Sequence, residues 1–139
     1  MKKFDILPHT ADGKFRAYGK TLEEQFSNAL LAMFSFMFKT EKVKPKIKKE
    51  IKVKGKDESA LLYNWLEEFI ILTITDGFAT RSVKLRIEKD SEYRILADLV
   101  GEDIDIKKHH FKVEIKSPTF HLMEIKQNDQ VTMRYLLDL

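Results

Sequence analysis

The spacing of apolar residues divides the chain into two helical stretches and several strand-like ones. After Thr21, residues Leu22, Phe26, Ala29, Leu30, Met33, Phe34 and Met37 recur at helical spacing, with Glu23, Gln25, Ser27 and Asn28 between them. Thr21 and Glu24 have the spacing of a capping box, in which each side chain satisfies a backbone donor that the first helical turn leaves free. A second helix is expected from Asp57, whose carboxylate can cap free N–H groups, to Asp76-Gly77, where glycine supplies a left-handed stop. Its core stripe is Leu61, Leu62, Trp65, Leu66, Phe69, Ile70 and Leu72, while Asn64, Glu67 and Glu68 lie off the stripe and read as solvated.

Elsewhere the period is two. Phe15 and Ala17, Ile51 and Val53, Val83 to Ile87, Tyr93 to Leu99, Phe111 to Ile115 and Val131 to Leu137 alternate as strands with one buried face do. Short connections at 88–92 and 128–129 suit hairpins. The expected architecture is therefore α+β, a two-layer single domain over residues 1–139, with two helices packed on a mixed, largely antiparallel β-sheet.

Composition narrows the chemistry. With no cysteine there is no disulfide framework, zinc ribbon or thiolate nucleophile, so any metal must sit on oxygen or imidazole. No apolar leader follows the basic start, and no run reaches the length of a membrane span, so the expectation is a cytoplasmic protein that does not enter membranes. Lys and Arg exceed Asp and Glu only by 25 to 22, too little to imply nucleic-acid binding by itself. The lysines of the Lys39–Lys56 segment could make sequence-blind phosphate contacts, but they fit an edge strand guarded against pairing better, since no aromatic is interleaved.

Candidate site residues fall in three places. His9 and Asp12 lie in His9-Thr10-Ala11-Asp12-Gly13, a segment that reads as a turn on its own. Between Gly101 and His121 the chain concentrates Glu102, Asp103, Asp105, His109, His110, Glu114, Lys116 and His121. Asp138 follows an apolar strand; with Asp12 and the Leu139 carbonyl it offers oxygen ligands of the kind hard cations prefer. No phosphate-binding glycine loop and no GxSxG elbow occurs.

Taken in order, His9-Thr10-Ala11-Asp12, Arg16-Ala17-Tyr18-Gly19-Lys20-Thr21-Leu22-Glu23-Glu24, Asp57-Glu58, Leu61-Leu62, Trp65-Leu66, Gly101-Glu102 with Asp105, Lys112 to Lys116, Thr119-Phe120-His121 and Asp138-Leu139 resemble the archease family over nearly the whole chain. The pattern is departed from at Pro8, Gly13-Lys14-Phe15, Ser117-Pro118 and Phe120. The resemblance implies a protein that is not itself an enzyme. Such a protein activates the RtcB-type tRNA-splicing ligase by promoting its guanylylation with GTP and its multiple turnover, and touches tRNA at most indirectly. It also implies a divalent cation, calcium in relatives with magnesium or manganese as alternatives. Asp12, Asp138 and the Leu139 carbonyl would be its ligands, and His9, Glu114, Lys116 and His121 would support the site or face the partner. From the residues alone two rivals stand: a metal-dependent phosphohydrolase built on His9, Asp12, His109 and His121, and an RNA-binding module built on the Lys39–Lys56 segment.

Overall fold

The computed structural model describes the backbone of residues 2–6, 12–112, 114–126 and 130–138, and the side chains of 2–6 and 15–112. Seven strands and two α-helices follow in the order β1 (Phe4–Ile6), β2 (Asp12–Tyr18), α1 (Leu22–Met37), β3 (Ile47–Gly55), α2 (Glu58–Ile74), β4 (Phe78–Lys89), β5 (Tyr93–Asp103), β6 (Glu114–Lys126) and β7 (Gln130–Asp138). A 3-10 turn, Thr40–Lys42, follows α1.

The α+β class and the two helices are as the sequence predicts, but the strands form two sheets instead of one. One has the order β1-β2-β7-β6 and the other β3-β5-β4, and every pairing described is antiparallel. Both helices pack against strands of both sheets, so the apolar faces meet across helices. Trp65, Phe69 and Phe34 form the centre, with Trp65 edge-on to Phe69 at 4.7 Å between ring centroids and Phe69 edge-on to Phe34 at 5.9 Å. The indole N–H of Trp65 donates to the Phe26 carbonyl at 3.1 Å, tying α2 to α1 without leaving a buried donor free.

The start of α1 is capped as expected: the Glu24 N–H donates to Thr21 Oγ1 at 3.1 Å. The return bond differs by one residue, since Glu24 Oε2 accepts from the Lys20 N–H. Gln25 and Asn28, placed between the apolar positions by the sequence, are buried. Their amides donate to the carbonyls of Gly19 and Tyr18, fastening the helix to the end of β2. Because α1 contacts both sheets, it keeps no fully exposed residue, and polar side chains are accommodated by local hydrogen bonds. In α2, capped by Asp57 on the Ala60 N–H at 2.8 Å, Asn64 is exposed as expected. Glu67 and Glu68 are half-buried, a correction that follows from the strands flanking this helix. Gly77, at φ 66°, supplies the left-handed residue after it.

Candidate functional site

The pairing of β2 with β7 joins the two ends of the chain. Asp12, the first residue of β2, stands opposite Leu136, and Asp138 lies two residues beyond Leu136 at the end of β7. Glu114, the first residue of β6, stands directly opposite Asp138. Three acidic positions on three neighbouring strands thus share one end of the sheet, with strands about 4.8 Å apart. Glu114 and Asp138 therefore face each other, Asp12 faces the apolar Leu136, and the next pair along, Ile115 and Leu137, is apolar. Of the other predicted site residues, Lys116 is the extra residue of a bulge, because Ile115 pairs with Leu137 and Ser117 with Leu136. His121 falls in the stretch between Thr119 and Glu124 where the register shifts again. His9 and Leu139 lie outside the described residues, as do the side chains of Asp12, Glu114, Lys116, His121 and Asp138. Pro118 is accommodated because β6 is an edge strand, where one N–H can be spared.

The start of β6 is fixed by a second polar cluster. Glu102, with 6% of its surface exposed, accepts the Lys44 N–H at 2.8 Å, the Lys108 ammonium at 2.9 Å and His109 Nε2 at 2.9 Å. Lys46 approaches to 3.8 Å. The Lys44 amide, then Lys108 and His109, hold the Glu102 carboxyl down from an ordinary 4.5 to about 2. His109 is fully buried, and its Nδ1 accepts the Asp105 N–H at 2.9 Å. A nitrogen that accepts from an amide carries no proton, so the hydrogen sits on Nε2 and is given to Glu102. His110 then turns the chain at φ 54°, and the Lys112 N–H donates to the last carbonyl of α1, Met37, two residues before Glu114.

This cluster corrects two readings of the sequence. His109 and His110 sit in a tight turn ahead of β6. Both ring nitrogens of His109 are committed to protein partners, so it is unavailable to a metal or a substrate, and the hydrolase set of His9, Asp12, His109 and His121 loses a member. The expected strand from Phe111 begins only at Glu114, since Phe111 and Lys112 bond back to Ile106 and Met37. Gly101, next to Glu102, is required sterically because a Cβ there would meet the Ala79 carbonyl of β4. Nothing in the residues next to His109 marked its burial; Gly101-Glu102, seven residues earlier, was the available signal.

Among the described residues, which do not include the side chains of Asp12, Glu114 and Asp138, no three His, Asp or Glu side chains gather as a metal site. Lys48, Lys52 and Lys54 of β3 are exposed, and β3 is an edge strand, as its lysines suggested. No helix among the described residues is long and apolar enough to cross a membrane.

Residues 4–139 match the Archease protein family (MTH1598/TM1083). The protein archease of Pyrobaculum islandicum is 44% identical over 133 residues, covering 94% of this chain and 90% of its own length. That of Thermococcus kodakarensis is 41% identical over 128 residues, covering 91% and 90%. The solution structure of Methanobacterium thermoautotrophicum protein 1598 superposes over the whole of both chains with a TM-score of 0.77 at 33% identity. A family match across nearly every residue, curated relatives above 40% identity and a shared fold together establish that this chain belongs to the archease family.

Proposed function

We propose that this archease activates an RtcB-type RNA ligase, promoting its guanylylation by GTP and its multiple turnover in tRNA splicing and RNA repair, without being an enzyme itself. Family membership supports a role in tRNA ligation in general terms. The observation that carries the finer reading is the register of β2, β7 and β6, which gathers Asp12, Asp138 and Glu114 at one sheet end and sets Glu114 directly opposite Asp138. Like charges on adjacent strands are unfavourable unless something offsets them.

A hard divalent cation suits such a donor set, and carboxylates with a backbone carbonyl are what calcium or magnesium take in preference to softer ligands. In this reading Asp12, Asp138 and the Leu139 carbonyl hold the ion, while Glu114, Lys116, His9 and His121 support the site or meet the ligase. The ion would supply charge neutralisation next to the ligase's nucleotide phosphates. The chain's own contribution is positional: the β2–β7 ladder holds two acids from opposite ends of the sequence in one register, and the Glu102–His109 cluster fixes where β6 begins.

The test is multiple-turnover ligation of RNA with 3′-phosphate and 5′-hydroxyl ends by the cognate ligase with GTP and Mn²⁺ or Mg²⁺, with wild type, Asp12→Ala or no added protein. Stimulation by wild type alone supports the role and the acid site; equal stimulation by Asp12→Ala rejects the site; none by either, with a competent ligase, rejects the role.

A further inference from the structure

A groove on the far side of α1 lies between the two sheets. Its wider part, about 430 Å³, is walled by Lys3 ahead of β1 and by Thr80 to Val83 of β4, and floored by Leu30, Leu31 and Phe34. A narrower part of about 280 Å³ continues it past Leu31, Thr40 and Glu41 to Phe4, Lys39 and Lys112. β1 and β4 are both edge strands, each ending its own sheet at this groove. Four basic residues, Lys3, Lys39, Arg81 and Lys112, line it against one acid, Glu41. Arg81 gives one N–H to the Thr40 carbonyl at 2.9 Å, and none of the four forms an ion pair among the described residues.

Two features point to an extended polypeptide as occupant. The Ile87 N–H leaves the β4–β5 ladder to reach Glu23 at 3.4 Å, which identifies the outward-facing set of β4. By the alternation of an antiparallel ladder, Val83 and Leu85 turn their N–H and C=O groups to the same free edge. The Thr80 hydroxyl, in the groove wall and 1% exposed, has no hydrogen-bond partner among the described residues, and buried polar groups ordinarily have one. The wall thus offers alternating backbone donors and acceptors, an apolar floor and a cationic rim. Nucleic acid fits less well, since Phe34 and Phe38 are only 1% exposed and the half-buried Phe4 alone cannot stack successive bases.

We propose that this groove binds an extended acidic segment of a partner protein, which adds to the free edge of β4 as an extra strand with its side chains over α1. This goes beyond ligase activation through the acidic sheet end and does not depend on it.

The experiment is an NMR titration of the isotope-labelled protein with a synthetic peptide of alternating Val and Asp, against one of alternating Val and Lys and an RNA oligonucleotide of similar length. The expected result is a shift of the Val83, Leu85, Ser27 and Leu31 amides with the acidic peptide. Affinity should fall at least tenfold in Lys3→Glu/Arg81→Glu and in Val83→Pro, which removes an outward N–H but no ladder bond, and be unchanged in Lys52→Glu. If Val83→Pro does not fold, Lys3→Glu at its exposed position decides alone. Absence of shifts at millimolar acidic peptide, equal binding by the variants or by the basic peptide, or tighter binding of RNA to the same amides would overturn the proposal.

Discussion

The two acidic regions of this archease differ in what surrounds them. Glu102 is enclosed by partners: a backbone amide, an ammonium and an imidazole N–H all point at one carboxylate. At the end of the β1-β2-β7-β6 sheet, three acids occupy neighbouring register positions, Glu114 directly opposite Asp138 and Asp12 opposite Leu136. The first arrangement is complete within the chain, and its work is to hold the 38–46 and 102–112 segments together, as the Lys39 to His109 and Lys46 to Gly101 backbone bonds also do. The second brings acids together with no opposite charge at the paired positions, so register alone does not neutralise them as the partners of Glu102 do.

Four outcomes would break or sharpen that contrast. Largest is the effect of Asp138→Asn: stimulation of the ligase should drop to the level of ligase alone, while the melting temperature without metal stays at the wild-type value. In the same proteins, Ca²⁺ at about 100 times its dissociation constant should stabilise wild type by about 2.7 kcal/mol and leave Asp138→Asn unmoved; equal stabilisation of both would dissolve the distinction.

Next is His109→Ala, which leaves Glu102 and the Asp105 N–H each short of a partner in a buried place. Chemical denaturation should show a loss of about 2–3 kcal/mol. Ligase stimulation should survive well below the melting point, since this residue holds the fold and touches no substrate.

The third concerns pH. Glu102 is ionised more readily folded than unfolded, so its contribution is fully present above about 4.5 and disappears as pH falls toward about 2, where the folded carboxyl takes up its proton. Acid unfolding should therefore steepen between these values, and Glu102→Gln should flatten that part of the curve; an unchanged curve would remove Glu102 from the account. Smallest is Lys108→Ala, at a side chain 37% exposed, where thermal unfolding should show less than about 1 kcal/mol.

Much of the fold was legible locally. The helix caps at Thr21 and Asp57, the glycine stop at Gly77 and the hairpin between β4 and β5 are written in a few adjacent residues, and they form as read. The burial of Gln25 and Asn28 was not legible, because polarity predicts exposure only when a helix has a solvent face, and α1 lies against strands of both sheets. The division into two sheets was equally illegible, since alternation tells which residues of a strand are buried but not which strand lies beside it.

Candidate chemistry divides in the same way. Asp12, Glu114 and Asp138 could be nominated from the sequence through a family resemblance, but their common position depends on pairing between the first and last long strands. The partners of His109, Glu102 and Asp105, lie only seven and four residues before it, but no periodic pattern marks the turn that brings them together, and the Lys44 amide that also holds Glu102 comes from far along the chain. By itself the sequence determined the elements, since periodicity and caps act over a turn or a few residues. Only the tertiary structure decided which strands lie side by side, which acids are neutralised and which are left together, because those outcomes depend on non-local pairing that the shared apolar core selects.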